Sequence, residues 1–210
     1  MESPSKSDPL TRLSSAILSG DRESAVNATR EALQKYQVED ILNKGVLAAW
    51  ETFVSLYQKD PAGTLKTWDA AYFTTRRVLS LIESAIPPGS PHFSAIVATV
   101  RGEGHTLMRD IIATYLRSKN IKVYCPKRGI TIDDLKEELS DPSLRFLVLS
   151  CIDSDTEKIL KETLASVRRI RPDVKIIAGG PLAEKIGADA VTSNMSETFA
   201  LMKVYVDVPS

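Results

Sequence analysis

Apolar residues in the first 86 positions recur every three or four residues, which is the spacing of amphipathic helices. The pattern predicts four short helices that form a small bundle. The first is capped by Asp8 and ends at Gly20, and Pro61-Ala62-Gly63 predicts a turn before the fourth. The predicted helices run between Asp8 and Gly20, from Asp21 to Leu33, from about Ile41 to Tyr57, and from Leu65 to Ile82.

The pattern changes after the proline-rich run Pro87-Pro88-Gly89-Ser90-Pro91, which predicts a linker over residues 87–92. From residue 93 to residue 210, short β-rich runs alternate with helical patterns. The runs lie at 96–100, 121–124, 145–150, 174–178 and 190–192, and the helices at 106–119, 132–139, 157–169 and 196–204. The chain is therefore predicted to have a tail (1–8), a four-helix bundle (9–86) and an α/β domain. In that domain a doubly wound, mostly parallel, flavodoxin-like (Rossmann-like) sheet has about five strands.

Composition excludes several classes of function. Lysine plus arginine equals aspartate plus glutamate, at 27 each, so nothing favours a nucleic-acid or membrane-surface partner. The first seven residues are polar and lack the apolar core of a signal peptide. Cys125 and Cys151 have no metal-ligand spacing and are expected to be reduced thiols, with a disulfide as the less favoured alternative. These features predict a cytoplasmic protein.

The candidate chemistry begins at His105, one of two histidines, which lies on the loop between the first predicted strand and its helix. Ligands of open α/β sheets bind at this edge. Glu103 lies two residues earlier, close enough to accept a hydrogen bond from one ring nitrogen and leave the other for a metal. An exposed loop histidine beside an acid is the alternative, and this motif alone does not decide between them.

Two further features fall on the same sheet edge. Ser150 ends the third predicted strand, where it either caps the next helix or directs a hydroxyl at a ligand. Gly179 and Gly180 end the fourth, where they either form a tight turn or let a bulky group approach the backbone. Each feature alone is common, but their coincidence at one edge favours a ligand site.

Together these segments resemble the cobalamin-binding domain of corrinoid methyltransferase proteins. That family carries D-x-H-x-x-G after the first strand, S-x-L after the third and G-G after the fourth. The matching segments here are Glu103-Gly104-His105-Thr106-Leu107-Met108, Ser150-Cys151-Ile152 and Gly179-Gly180. The helical half resembles the bundle that caps the upper face of the corrin in that family, and the likeness spans about residues 10–200.

The resemblance implies base-off cobalamin, in which the nucleotide base is displaced from cobalt and His105 replaces it as lower ligand. Glu103 would hydrogen-bond this histidine and couple ligation to protonation. Ser150, with Ser154 or Thr156, would contact the buried nucleotide tail, and the paired glycines would leave room for its base. The implied cofactor-binding residues are Glu103, Gly104, His105, Thr106, Met108, Ser150, Ile152, Ser154, Thr156, Gly179 and Gly180.

The chain departs from the family pattern at two positions. Glu103 replaces the aspartate with a side chain one methylene longer, and Met108 replaces the last glycine of the motif. In the bundle, Trp50 and Trp68 are candidates either for core packing or for an aromatic cap over the corrin.

The function that the resemblance implies is that of a corrinoid carrier, which shuttles a methyl group between methyltransferase partners and is served by a corrinoid-reactivating protein. No protein nucleophile or general base is evident, so the chain is expected to be a methyl-carrying subunit and not a complete enzyme. Two alternatives remain at this point: a cobalamin-dependent sensor, and a degenerate domain that has lost the corrinoid and acts in protein interactions.

Overall fold

The computed structural model describes residues 7–207, and most of the predicted tail (residues 1–6), with residues 208–210, lies outside the described part. The chain divides into two compact units, and the boundary between them falls between Pro87 and Pro88. The first unit is helical, and the second is built on a single parallel sheet.

The helical unit contains the predicted helices with revised boundaries. The third is not regular, because its first part is a π-helix before α-helical geometry resumes. The helices are α1 (Pro9–Ser19), α2 (Arg22–Leu33), α3 (Val38–Asp40), the π-helix (Ile41–Leu47), α4 (Ala48–Lys59) and α5 (Pro61–Ala85).

The turn predicted at Pro61-Ala62-Gly63 is wrong, because these residues form the first turn of α5. Proline suits the first helical position, where its missing N–H is not needed. The Asp60 side chain completes the N-cap by accepting a hydrogen bond from the Gly63 N–H at 3.0 Å. Helix α5 is therefore 25 residues long, and a single residue, Asp60, separates it from α4.

The second unit alternates strands and helices as predicted, with β1 pairing to both β2 and β3. Its sheet has five parallel strands in the order β2-β1-β3-β4-β5, which is the flavodoxin-like order. The strands are β1 (Ser94–Ala98), β2 (Lys122–Tyr124), β3 (Leu144–Ser150), β4 (Lys175–Gly179) and β5 (Ala190–Thr192). The helices are α6 (Leu107–Ser118), α7 (Lys136–Leu139), α8 (Glu157–Ile170) and α9 (Met195–Asp207).

The two faces of the sheet are covered by different helices. On one face, β1, β3 and β4 pack Ile96, Leu149 and Ala178 in one apolar cluster with Leu160 and Leu164 of α8. Because side chains alternate along a strand, the residues next to these point to the other face. Right-handed crossovers assign α6 and α9 to that second face, and the Tyr115 and Phe199 rings of these two helices lie 6.2 Å apart.

Candidate functional site

The order of the strands reverses direction between β1 and β3, and a ligand site is expected outside their carboxyl ends. The loop after β1 carries Glu103 and His105, and the loop after β3 carries Ile152 and Asp153. The structure joins the two loops through the Glu103 carboxylate, which is buried while His105 is exposed. Of the predicted site residues, Glu103, His105 and Ile152 therefore meet at the switch point of the sheet.

The Glu103 carboxylate accepts hydrogen bonds on both oxygens. Oε1 lies 2.8 Å from the His105 backbone nitrogen and 2.8 Å from His105 Nδ1. Oε2 accepts from the backbone N–H groups of Ile152 at 2.9 Å and Asp153 at 2.8 Å. Since a carboxylate only accepts, Nδ1 carries the proton, and Nε2 of the half-exposed imidazole is left as a lone-pair donor.

The charges at this edge are set by burial and by these hydrogen bonds. Burial acts to raise the pKa of Glu103, but bonds from the Asp153, His105 and Ile152 N–H groups and from the imidazole outweigh it and hold this pKa below its ordinary value. Burial raises the pKa of Cys151 to about 12, and the Glu103 charge adds to that effect. The thiol is therefore neutral, so among these side chains the imidazole is the one that could bind a metal.

A row of small or hydroxyl-bearing residues ends the strands on the face covered by α6 and α9. Ser150 pairs with Gly179, and Gly179 pairs with Thr192. Thr99 follows the Ala98–Leu149 pair and so extends the row to β1. Ser150 and Thr192 are buried, and Thr99 is 0 % exposed with no hydrogen-bond partner for Oγ1 among the described residues. Such a row suits a polar group inserted beside the sheet, because a dry core would place aliphatic side chains there.

The glycine pair has a steric reason at both positions. A Cβ on Gly179 would lie 3.1 Å from the Thr192 carbonyl oxygen, a contact tighter than most, so even a small side chain would be crowded there. Gly180 has φ +103°, and a Cβ there would lie 2.4 Å from the Cys151 carbonyl oxygen. Gly180 thus serves the close approach of the β4 loop to the β3 loop, while Gly179 serves the close approach of β4 to β5.

The remaining predicted residues are distributed around this centre. Gly104 has nothing within 4 Å of an added Cβ, and Thr106 precedes α6 without a capping bond from its side chain. Ser154 is exposed, Thr156 donates its hydroxyl to the Asp153 carbonyl oxygen at 2.7 Å, and both lie in the short 3-10 helix that precedes α8. Met108 is 40 % exposed, so its side chain is not packed into the protein interior.

The two tryptophans of the helical unit form one aromatic cluster with Phe53. The three ring centroids lie 5.1–5.2 Å apart, and Trp50 Nε1 donates to Thr75 Oγ1 at 3.1 Å. Trp50 is thereby committed to packing within the bundle, whereas Trp68 is 36 % exposed. Core packing accounts for Trp50, and Trp68 keeps an accessible ring edge.

Sequence reasoning did not identify Thr99, Thr192 or the backbone N–H groups of Ile152 and Asp153. Thr99 directly follows the apolar run of β1, and Thr192 is the last residue of β5. A hydroxyl-bearing residue at the end of a strand was the signal that could have identified both. The two N–H groups belong to the backbone, so no residue type in the sequence could have indicated them.

Comparison with known proteins gives a consistent result over both units. A family model described as a B12 binding domain matches residues 93–202, and a second model with the same description matches residues 9–61. Dimethylamine corrinoid protein 2 of Methanosarcina acetivorans is 26 % identical to the chain over 209 residues, which is 95 % of this chain and 96 % of that protein.

Solved structures share the fold. The monomethylamine corrinoid protein of Methanosarcina barkeri superposes with a TM-score of 0.74 at 19 % identity, over 91 % of this chain and 96 % of that one. The methanol:cobalamin methyltransferase complex of the same organism gives a TM-score of 0.51 at 12 % identity, over 98 % and 82 % of the two chains. Within residues 7–207, no helix is both long and apolar enough to cross a membrane.

Proposed function

The chain belongs to the B12 binding domain family, and from this membership we propose that it is a corrinoid carrier that binds cobalamin base-off, with His105 as the lower cobalt ligand. The observation that carries the proposal is the imidazole itself: Nδ1 is held on the buried Glu103 carboxylate at 2.8 Å, and Nε2 is left as the donor. Corrinoid-bound cobalt supplies the methyl-transfer chemistry, by accepting a methyl group and releasing it.

The residues of this chain bind and orient. Glu103 sets the tautomer and direction of the imidazole, and its bonds to Ile152 and Asp153 hold the two loops together. Ser150 and Gly179, between Thr99 and Thr192, provide the polar row for the nucleotide tail. Because the imidazole is already held on the Glu103 carboxylate in the protein alone, the proposed ligand is oriented before the cofactor binds.

The relatives favour a methyl shuttle as the role of the bound cofactor. Those similar over the whole chain are named dimethylamine corrinoid proteins, and one structural neighbour is a methyltransferase complex. We therefore propose methyltransferase partners that donate and accept the methyl group, and a reactivating protein that restores oxidised cobalt. Trp68, with its accessible ring edge, is the proposed aromatic cap for the upper face of the corrin.

A degenerate domain that has lost the corrinoid is less well supported. Met108 in place of the family's glycine favours this alternative, but the Met108 side chain is 40 % exposed and is not packed into the interior.

The histidine ligand is tested by electron paramagnetic resonance of protein loaded with cob(II)alamin. Protein labelled with ¹⁵N-histidine is expected to change the splitting from the axial nitrogen from triplets to doublets, because the ligating nitrogen then belongs to the protein. The chain has two histidines, so His92→Ala, in the exposed linker, is the matched control and should retain the doublets. His105→Ala should lose them and bind cobalamin about tenfold or more weakly. Triplets in the labelled wild type would contradict the proposal.

Insertion of the tail is tested at Ser150. Replacement by leucine places an aliphatic side chain in the buried row beside Gly179, where the tail is proposed to lie. We expect Ser150→Leu to lose cobalamin on desalting but to keep cobinamide, which has the same corrin ring and no nucleotide tail. Equal retention of both corrinoids would show that the tail lies elsewhere. Ser166→Leu, on α8, is the control for an added leucine.

A further inference from the structure

Arg109 is a buried charge that the ligand set described above does not use. It is 1 % exposed, and its Nε and Nη2 atoms donate to Asp110 Oδ1 at 2.8 and 2.6 Å. Nη1 has no hydrogen-bond partner among the described residues. Burying a guanidinium N–H group without an acceptor costs free energy, so a hydrogen-bond acceptor bound at Nη1 would stabilise this side chain.

Arg109 belongs to the helix that packs over the strands of the proposed tail row. Arg109 is in the first turn of α6 and begins a buried stripe that continues through Ile112, Ala113 and Leu116. Helix α6 covers the sheet face on which Thr99 lies, and Thr99 Oγ1 is also buried without a hydrogen-bond partner among the described residues. The interface between α6 and β1 thus contains two unsatisfied polar groups, both on the side where β1 ends.

We propose that Arg109, together with Thr99, binds the phosphodiester of the corrinoid's nucleotide tail. This inference rests on the proposed base-off mode, in which the tail enters the protein. The tail carries one negative phosphodiester between the corrin side chain and the ribose, and a charge placed beside the sheet requires a partner. Guanidinium groups match phosphate oxygens in charge and geometry.

The start of α6 also favours a negatively charged ligand. Helix α6 begins at Leu107, and the N–H groups in the first turn of a helix have no partner within the helix. The positive end of the helix dipole therefore acts beside Arg109 and offsets the negative charge of Asp110. Arg109 is bound to Asp110 through one edge and has the opposite edge left for the phosphate.

The test compares three corrinoids on two variants that both lack the Asp110 carboxylate and differ only in the guanidinium. Asp110→Asn is the background, and the double variant Arg109→Met/Asp110→Asn removes the guanidinium without leaving a buried carboxylate unpaired. Dissociation constants are measured by absorbance for cobalamin, for cobinamide phosphate, which keeps the phosphate but lacks ribose and base, and for cobinamide, which lacks all three. Arg101→Met, at an exposed arginine on the same sheet edge, controls for the loss of one positive charge.

The double variant is expected to bind cobalamin and cobinamide phosphate about tenfold or more weakly than its background, with cobinamide unchanged. Arg109→Lys, which keeps the charge but loses the fork, should show the same preference for loss of the two phosphate-bearing ligands, whether or not the double variant folds. Equal weakening of all three corrinoids, or an unchanged cobalamin affinity, would overturn the proposal. Labelled wild type that still shows the cofactor's own base on cobalt would overturn the base-off mode and this inference with it.

Discussion

Glu103→Gln is expected to destabilise the protein without cofactor by about 3 kcal/mol and to abolish cobalamin retention on desalting. Both oxygens of Glu103 face only donors: the His105 backbone N–H and Nδ1 on one side, and the Ile152 and Asp153 N–H groups on the other. A glutamine amide must present its NH₂ group to one of these two sets of donors. The substitution therefore breaks either the histidine bonds or the bonds between the loops.

Urea unfolding of the protein without cofactor measures the loss, and the visible spectrum after desalting measures retention. Glu137→Gln is the matched control, because Glu137 is exposed on α7 and the same exchange there should change stability by less than about 0.5 kcal/mol. Glu103→Asp tests whether the length of the side chain matters. It has the family's residue and keeps the charge, but its shorter side chain cannot keep all four contacts. We expect it to lie between wild type and Glu103→Gln. Wild-type stability in Glu103→Gln would contradict the role of this carboxylate as a clamp.

The alternation of short β-rich runs with helical patterns was enough to predict the second unit. The strands end within about two residues of their predicted limits, since apolar runs bounded by glycine, proline and polar residues are clear signals. The π-helix over Ile41–Leu47 was not predictable in this way, because its residues continue the helical periodicity. The first turn of α5 was misread because Pro61 and Gly63 are turn residues in most contexts, and Asp60 decided the outcome as a cap.

In the site, too, contacts between residues close in sequence could be predicted, whereas contacts between distant residues could not. The contact between Glu103 and His105 follows from a spacing of two residues on a loop, and the structure contains it. The bonds to Ile152 and Asp153 join positions 49 and 50 residues apart in the sequence, through backbone groups common to every residue. Arg109 shows the converse difficulty: a charged residue in an amphipathic helix is expected at the surface, and only the fold buries it.

Gly180→Ala is expected to reduce the free energy of unfolding by about 3 kcal/mol and to weaken cobalamin binding in parallel. Two effects add at this position. Alanine is strained at φ +103°, and its Cβ would lie 2.4 Å from the Cys151 carbonyl oxygen and 3.0 Å from the carbonyl carbon. The loops must separate to relieve this contact, because both colliding groups belong to the backbone.

The displaced segment is the one that the ligand site depends on. The Cys151 N–H donates to the Gly179 carbonyl oxygen at 2.9 Å, and the next residue, Ile152, supplies one of the N–H groups that hold Glu103. Gly187→Ala separates strain from collision, since Gly187 also has positive φ, +73°, but nothing lies within 4 Å of an added Cβ. That control should cost only about 1 kcal/mol and leave cobalamin binding unchanged. Equal losses at the two glycines would attribute the effect to backbone strain alone and remove the link between the β4 loop and the histidine clamp.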